Sequence, residues 1–186
     1  MKKPKIIIFF LLIALVLVGA SCGEKKDGAT IEEENGYIVY SNESWNFEFK
    51  YSEDWDLEFE EESDVNLAFA LNSPRQDDSV EASAGFLIVA YIPEEGKIFN
   101  EEVQKSIDQL KVGQVLIDYS EKSLAGRYAY EVIYSDSPSD PKTKQLHYFV
   151  DGGDIWYQLL YMAKQDIYNN HLGTIEDMIN SFKIIK

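Results

Sequence analysis

Cysteine is almost missing from this chain: Cys22 is the only one in 186 residues. An internal disulfide is thereby excluded, although disulfides commonly support small exported domains, so stability has to come from a packed core. Histidine is nearly as scarce. His147 and His171 are the only two, and an imidazole-based metal centre would need both of them to converge with carboxylates; the reading preferred for them is partly exposed, incidental histidines. No serine lies in a Gly-x-Ser-x-Gly elbow, no Ser-x-x-Lys is backed by partner motifs, and no glycine pattern shapes a phosphate cradle or a dinucleotide site. No catalytic residue and no cofactor are expected. Basic residues are few, with 17 Lys and Arg against 33 Asp and Glu and a net charge of −16. Such a surface repels nucleic acid and anionic headgroups, which leaves cations or basic partners as compatible ligands.

What is present at the N-terminus is an address. Lys2, Lys3 and Lys5 form a basic start, Ile6 to Val18 are thirteen apolar residues, and small residues follow. This is the three-part layout of a secretory signal peptide. A spanning helix needs about 20 apolar residues, so an uncleaved anchor is the second alternative. Val18, Gly19, Ala20, Ser21 and Cys22 resemble the lipobox of prokaryotic lipoproteins, with Gly19 where Leu is commoner. That resemblance implies a Cys22 that carries lipid (palmitate), becomes the first residue of the mature protein, and holds the chain on the extracytoplasmic side of the cell membrane. Two or more acyl chains give stable attachment. Removal of the three leader lysines takes the charge from −16 to −19. The organisation read here is a signal peptide at 1–21, the lipidated cysteine with a flexible polar tether at 22–36, and one domain at 37–186. About 150 residues is a comfortable size for one such core.

From Tyr37 onward the dominant period is two. Strands are expected near Tyr37–Ser41, Asn46–Tyr51, Leu57–Glu61, Val65–Asn72, Ala84–Ile92, Val115–Ser123, Tyr128–Ser135, Thr143–Val150 and Ile155–Ala163. Phe86–Ile92 and Trp156–Ala163 are apolar on both faces, as in central strands covered on both sides. Two helices provide cover. One starts at Asn100 as N-cap and carries Val103, Ile107 and Leu110 on one face up to Gly113; the other runs from about Gln165 to Ser181, weakened in its middle by Gly173, where Thr174 with Asp177 could cap a fresh start. Asp151 to Asp154, with a central Gly-Gly, and Leu124-Ala125-Gly126 mark tight hairpins. The class is α+β, a mostly antiparallel sheet flanked by helices in a single domain.

Three segments carry a family resemblance. Asn46-Phe47-Glu48-Phe49-Lys50-Tyr51 followed by Trp55 resembles the opening of PsbP-like domains, with Ser52 in place of the usual Pro and Trp55 one residue late. Leu124 to Tyr130 resembles the family's "Gly-x-Pro-Ala-Tyr" hairpin, with Tyr128 where Pro is frequent, and Ile179 to Ile184 resembles its closing "Ile-x-Ser-Phe" signature. The resemblance implies an α/β sandwich, the fold shared by the photosystem subunit PsbP and a nuclear-import factor that binds the Ran GTPase. Members also occur as prokaryotic lipoproteins. No common chemistry follows from that fold.

Two clusters remain as candidate sites. Glu58, Glu60, Glu61, Glu62 and Asp64, with Asp77, Asp78 and Glu81 beyond them, crowd one strand end, but the EF-hand order is absent and a solvated acidic sheet edge is the preferred reading, with no metal site assigned. Tyr128, Tyr130, Tyr134 and Trp156 would form a docking patch if exposed, against a preferred reading as core beneath the helices. Asn42-Glu43-Ser44 is a glycosylation sequon. The leading expectation is a membrane-anchored extracytoplasmic lipoprotein whose PsbP-like domain binds or assembles a protein partner at the cell surface without catalysis. The alternative is a small-ligand or cation-binding receptor; a hydrolase-type enzyme is third.

Overall fold

Period-two sequence builds most of the molecule. In Phe47–Ser52, for example, Phe47, Phe49 and Tyr51 are buried and the residues between them are half-covered. The computed structural model describes residues 29–74, 84–136 and 142–185. Its strands are β1 (Ala29–Glu34), β2 (Tyr37–Asn42), β3 (Phe47–Ser52), β4 (Asp56–Glu62), β5 (Asn66–Asn72), β6 (Ala84–Tyr91), β7 (Val115–Leu124), β8 (Arg127–Ser135), β9 (Thr143–Asp151), β10 (Trp156–Lys164) and β11 (Lys183–Ile184). The helices are α1 (Phe99–Gly113) and α2 (Tyr168–Ser181).

The strands divide between two antiparallel sheets. One has four strands in the order β1-β2-β3-β11, the other seven in the order β4-β5-β6-β10-β9-β8-β7. The small sheet and α2 cover the inner face of the large sheet, and α1 crosses its outer face. Aromatic rings fill the inner layer: Tyr40 meets Phe69 at 4.4 Å between centroids, Phe49 stands edge-on to Phe69 at 5.3 Å, and Phe182 sits against Tyr157 at 5.3 Å and Phe47 at 5.7 Å. Such pairs add about 0.5–1.5 kcal/mol each beyond their area burial. On the outer face Phe99, Val103, Ile107 and Leu110 of α1 pack on Tyr130, Val132, Tyr134, Phe149 and Trp156.

Side-chain hydrogen bonds pin the layers together. Tyr40 Oη donates to Glu60 at 2.6 Å and Trp45 Nε1 to Glu62 at 2.9 Å, so β4 is clamped to the small sheet. Ser181 Oγ accepts from Lys50 N at 2.8 Å and donates to the Met178 carbonyl at 2.6 Å, which fixes the end of α2 on β3. Phe182 then drops into the core before β11 pairs with β3.

Four local expectations are corrected. The segment expected to be tether is structured from Ala29: β1 pairs with β2 across an Asn35-Gly36 turn whose φ values of 53° and 82° are those of a two-residue hairpin with both central residues left-handed. Helix α1 begins at Phe99 with Ile98 at its cap and no side-chain cap, so Asn100 lies inside the first turn. Helix α2 begins at Tyr168 rather than Gln165 and is unbroken through Gly173 and Thr174, because Tyr168, Ile175, Met178 and Ile179 bury one continuous stripe. The inner face of the large sheet is covered by a second sheet together with a helix, where helices alone were expected to provide cover.

Both edges of the large sheet carry irregularities. The β4–β5 register shifts between Leu57 and Phe59, and the β7–β8 register between Leu116 and Asp118.

Gly152 begins the β9–β10 turn, where a Cβ would overlap the Ile155 carbonyl oxygen and the Tyr157 ring. Gly152→Ala should therefore cost about 1–3 kcal/mol of stability in urea denaturation, the range for overpacking a filled site. Gly173, in the middle of α2, has open space around it, and Gly173→Ala should raise stability by about 0.5–1 kcal/mol in the same measurement.

Candidate functional site

The turns that join the strands gather many features at one end of the sandwich. Asn42 ends β2, and the turn after it brings Trp45 and Asn46 against the β9–β10 hairpin: Tyr157 Oη donates to the Trp45 carbonyl at 3.0 Å and Ile185 N to the Asn46 carbonyl at 2.9 Å. Register places Ala29 opposite Asn42, so the described chain also begins here. Val65 and Ile92 meet at this end through a 3.0 Å bond from Ile92 N to the Val65 carbonyl, and the start of α1 lies close by, with Phe99 edge-on to Trp156 at 5.2 Å. Val65, Ile92 and Ile98 are all more than half exposed.

A cleft of about 170 Å³ opens at the same end between the two sheets, lined by Asn46, Arg127, Gly152, Asp154, Tyr157 and the isoleucines nearby. Arg127 donates to the Gly152 carbonyl at 3.3 Å and forms no ion pair among the described residues. Ligand pockets usually enclose about 300–1,000 Å³. The cleft is thus sized for one small group, such as a side chain or a carboxylate, and not for a typical small-molecule substrate.

The outer face carries the aromatics. Tyr130 is the hub: it stacks on Tyr119 at 5.5 Å, meets Tyr128 edge-on at 5.1 Å, and packs on Phe99 at 6.1 Å. The four residues expected as a docking patch separate here. Tyr134 is fully buried, Trp156 and Tyr130 are buried beneath α1, and only Tyr128 reaches the surface. Strand alternation puts Tyr128 on the same face as Tyr130 and Tyr134, but the cluster under α1 takes in Tyr130, Tyr134 and Trp156 and leaves Tyr128 out, so the surface aromatic pair here is Tyr128 with Tyr119 on the neighbouring strand. Sequence reading missed Tyr119; counting back across the Ala125-Gly126 turn places it opposite Val132, one step from Tyr130. Hydrogen bonding to Tyr130 raises the Tyr128 phenol above its ordinary range, and burial, reinforced by Tyr130, lifts Tyr119 to about 12. Both are neutral at physiological pH, and the pair presents an apolar surface with hydroxyl tips.

The two histidines lie in different layers. His147 is fully buried on the outer face, not partly exposed as expected. Its Nδ1 accepts from Gln158 at 2.8 Å and its Nε2 donates to Gln145 at 3.0 Å, an arrangement that requires the Nε2-protonated tautomer. His171 is on α2, edge-on to Trp55 at 5.7 Å. They do not meet. Of the acidic run, Glu60 and Glu62 are engaged by Tyr40 and Trp45, and among the described residues no three His, Cys, Asp or Glu are grouped to hold a metal ion. Asp77, Asp78, Glu81 and Cys22 lie outside the described residues. Asn42 of the sequon is buried, donating to Tyr40 Oη at 3.1 Å and accepting from Trp45 N at 3.0 Å, so its amide is committed to the fold.

The model of the PsbP-like protein family matches residues 6–184. The chain belongs to that family. A PsbP-like member should share its sandwich with solved relatives, and it does. The solution structure of cyanobacterial PsbP (CyanoP) from Synechocystis sp. PCC 6803 superposes with a TM-score of 0.55 at 11% identity, covering 90% of this chain and 98% of that one. LpqN of Mycobacterium tuberculosis, described as involved in cell envelope biogenesis, superposes with a TM-score of 0.54 at 16% identity over 75% of this chain and 83% of that one. At such identities the likeness concerns the fold. No curated protein matches. The PsbP-like motifs have structural duties here: Phe47, Phe49 and Tyr51 face the core, Trp55 is buried against His171, and Ser181-Phe182 seals α2.

Burial of His147 pushes its imidazole down to about 3 from the ordinary 6.5, and burial also lowers His171. Between those pH values the unfolded chain binds the proton that folded His147 refuses, so stability is fully present above pH 6.5 and falls as pH drops toward 3. Glu34, Glu102, Asp108 and Asp136, held low by lysines or backbone amides, add their loss only within and below the carboxylate range. Urea midpoints measured across this range should decline already above the carboxylate range, and His147→Gln should flatten most of that upper part of the slope.

Proposed function

We propose that this PsbP-like protein is a lipid-anchored, extracytoplasmic binding or assembly module without catalytic activity. The observation that carries the reading is the span of the family match, which starts at residue 6 inside the apolar run and continues through the whole domain. The apolar run of the leader and Cys22 therefore lie within the matched span. LpqN, a solved structure with the same fold, is linked to the cell envelope, which is where the signal sequence would send this chain.

The described surface supports binding over chemistry. His147 is locked in hydrogen bonds and remote from His171, and the glutamates nearest the core clamp the two sheets. What the domain offers a partner is the half-exposed Tyr119 and Tyr128 pair beside Glu121. Aromatic side chains with polar tips are enriched at protein interfaces. A protein partner with a basic rim would suit this surface, given a net charge of −16 on the chain.

Substituting Cys22→Ser should abolish incorporation of labelled palmitate and move the protein from the membrane to the soluble fraction without changing the melting temperature of the domain. Retention in the membrane fraction would overturn the anchoring. Tyr119→Ala with Tyr128→Ala should leave membrane attachment intact and weaken partner capture in a pull-down with the lipidated protein as bait.

A further inference from the structure

We infer that the turn end of the domain rests on the bilayer surface, with Val65, Ile92 and Ile98 at headgroup level. The inference rests on the anchoring proposed above and adds an orientation to it. Its first support is the point at which the chain enters the fold. Because β1 begins at Ala29, only residues 23–28 separate Cys22 from the sandwich. Fully extended, that connection spans at most ~25 Å, and as a coil about 15 Å. Ala29 is opposite Asn42, beside the Trp45–Asn46 turn that packs on the β9–β10 hairpin. The lead is therefore fastened to the turn end, and presenting the far end, about 20 Å away along α1, would require the lead to be stretched well beyond its coil span and close to its full length.

The second support is what lies around the attachment point. Val65, Ile92 and Ile98 are 60%, 51% and 56% exposed. Exposed aliphatic groups also occur at the opposite end, Val112, Ile117 and Leu57 among them, so exposure alone does not choose between the ends. The lead chooses. The chemistry fits a neutral interface, since aliphatic groups enter the headgroup boundary. Asp64, Glu94 and Glu95 are near these residues in the chain, and they oppose contact with anionic lipid. Contact of this kind is weak on its own. The tether sustains it by raising the local concentration of the surface at the membrane.

Helix α1 supplies the test, since it runs from the turn end at Ile98 to the opposite end at Val112, a length of about 20 Å. With Cys22 blocked by lipid, Ile98→Cys and Val112→Cys each introduce the only free thiol in the chain. Each lipidated variant would be labelled with an environment-sensitive fluorophore and reconstituted in phosphatidylcholine vesicles containing a headgroup-region spin-labelled lipid. The label at 98 should shift to the blue and lose more than half its emission to the quencher, while the label at 112 keeps both its wavelength and its intensity. Ile92→Asp added to the Ile98→Cys variant, or partial replacement of phosphatidylcholine by phosphatidylglycerol, should reverse the quenching with the protein still sedimenting with the vesicles. Equal quenching at 98 and 112, or quenching at 112 alone, overturns the orientation while leaving the anchoring intact. Failure of the lipidated chain to sediment with vesicles overturns the anchoring itself.

Discussion

The seam of aromatic rings between the two sheets is the constraint from which the rest follows. Tyr40, Phe47, Phe49 and Tyr51 from the small sheet interleave with Phe69, Phe86 and Tyr157 from the large one, and Phe182 closes the layer after α2. Without a disulfide, this layer and the smaller cluster under α1 carry the cohesion of the domain. Its geometry also dictates the polar choices around it. A phenol buried this deeply needs a partner, and Tyr40 finds Glu60, Tyr157 finds the Trp45 carbonyl, and Tyr161 finds the Tyr168 carbonyl. Two carboxylates of the acidic run, Glu60 and Glu62, thus hold the Tyr40 and Trp45 rings in place.

The same economy applies to the other features that suggest chemistry. The Asn42 sequon is a hydrogen-bonded corner of β2, and the histidine on β9 is a neutral strut between two glutamines. Among the described residues the exposed tyrosine pair and the turn end offer contact, and the small cleft at Arg127 offers room for a single group. The sandwich by itself fixes no function.

Strand alternation made nine of the strands readable to within a residue or two, because one buried face imposes its period on the sequence. Membership of a sheet was not readable, since nothing local in Phe47–Tyr51 says that its partners are Tyr37–Asn42 and the last residues of the chain. Strand β1 was hidden by composition: Thr30-Ile31-Glu32-Glu33-Glu34 is exposed on nearly every side chain and carries no period, although Asn35-Gly36 is a strong hairpin signal that could have revealed it. The tyrosines of β8 were placed correctly on one strand face, but which of them reach solvent depends on where α1 lies, a tertiary fact. Helix α2 overrode the cost of Gly173 because its buried stripe continues on both sides of the glycine.

The two register shifts at the margins of the large sheet have a bearing on how copies of the domain coexist. An extra residue in β7 turns Ile117 outward, and one in β4 does the same beside Leu57, so neither margin presents the regular row of amides and carbonyls that a foreign strand would need. Both margins of the large sheet are thereby spoiled as templates for strand addition between copies of the domain, which leaves β1, the edge of the small sheet with Glu32, Glu33 and Glu34 along it, as the regular margin.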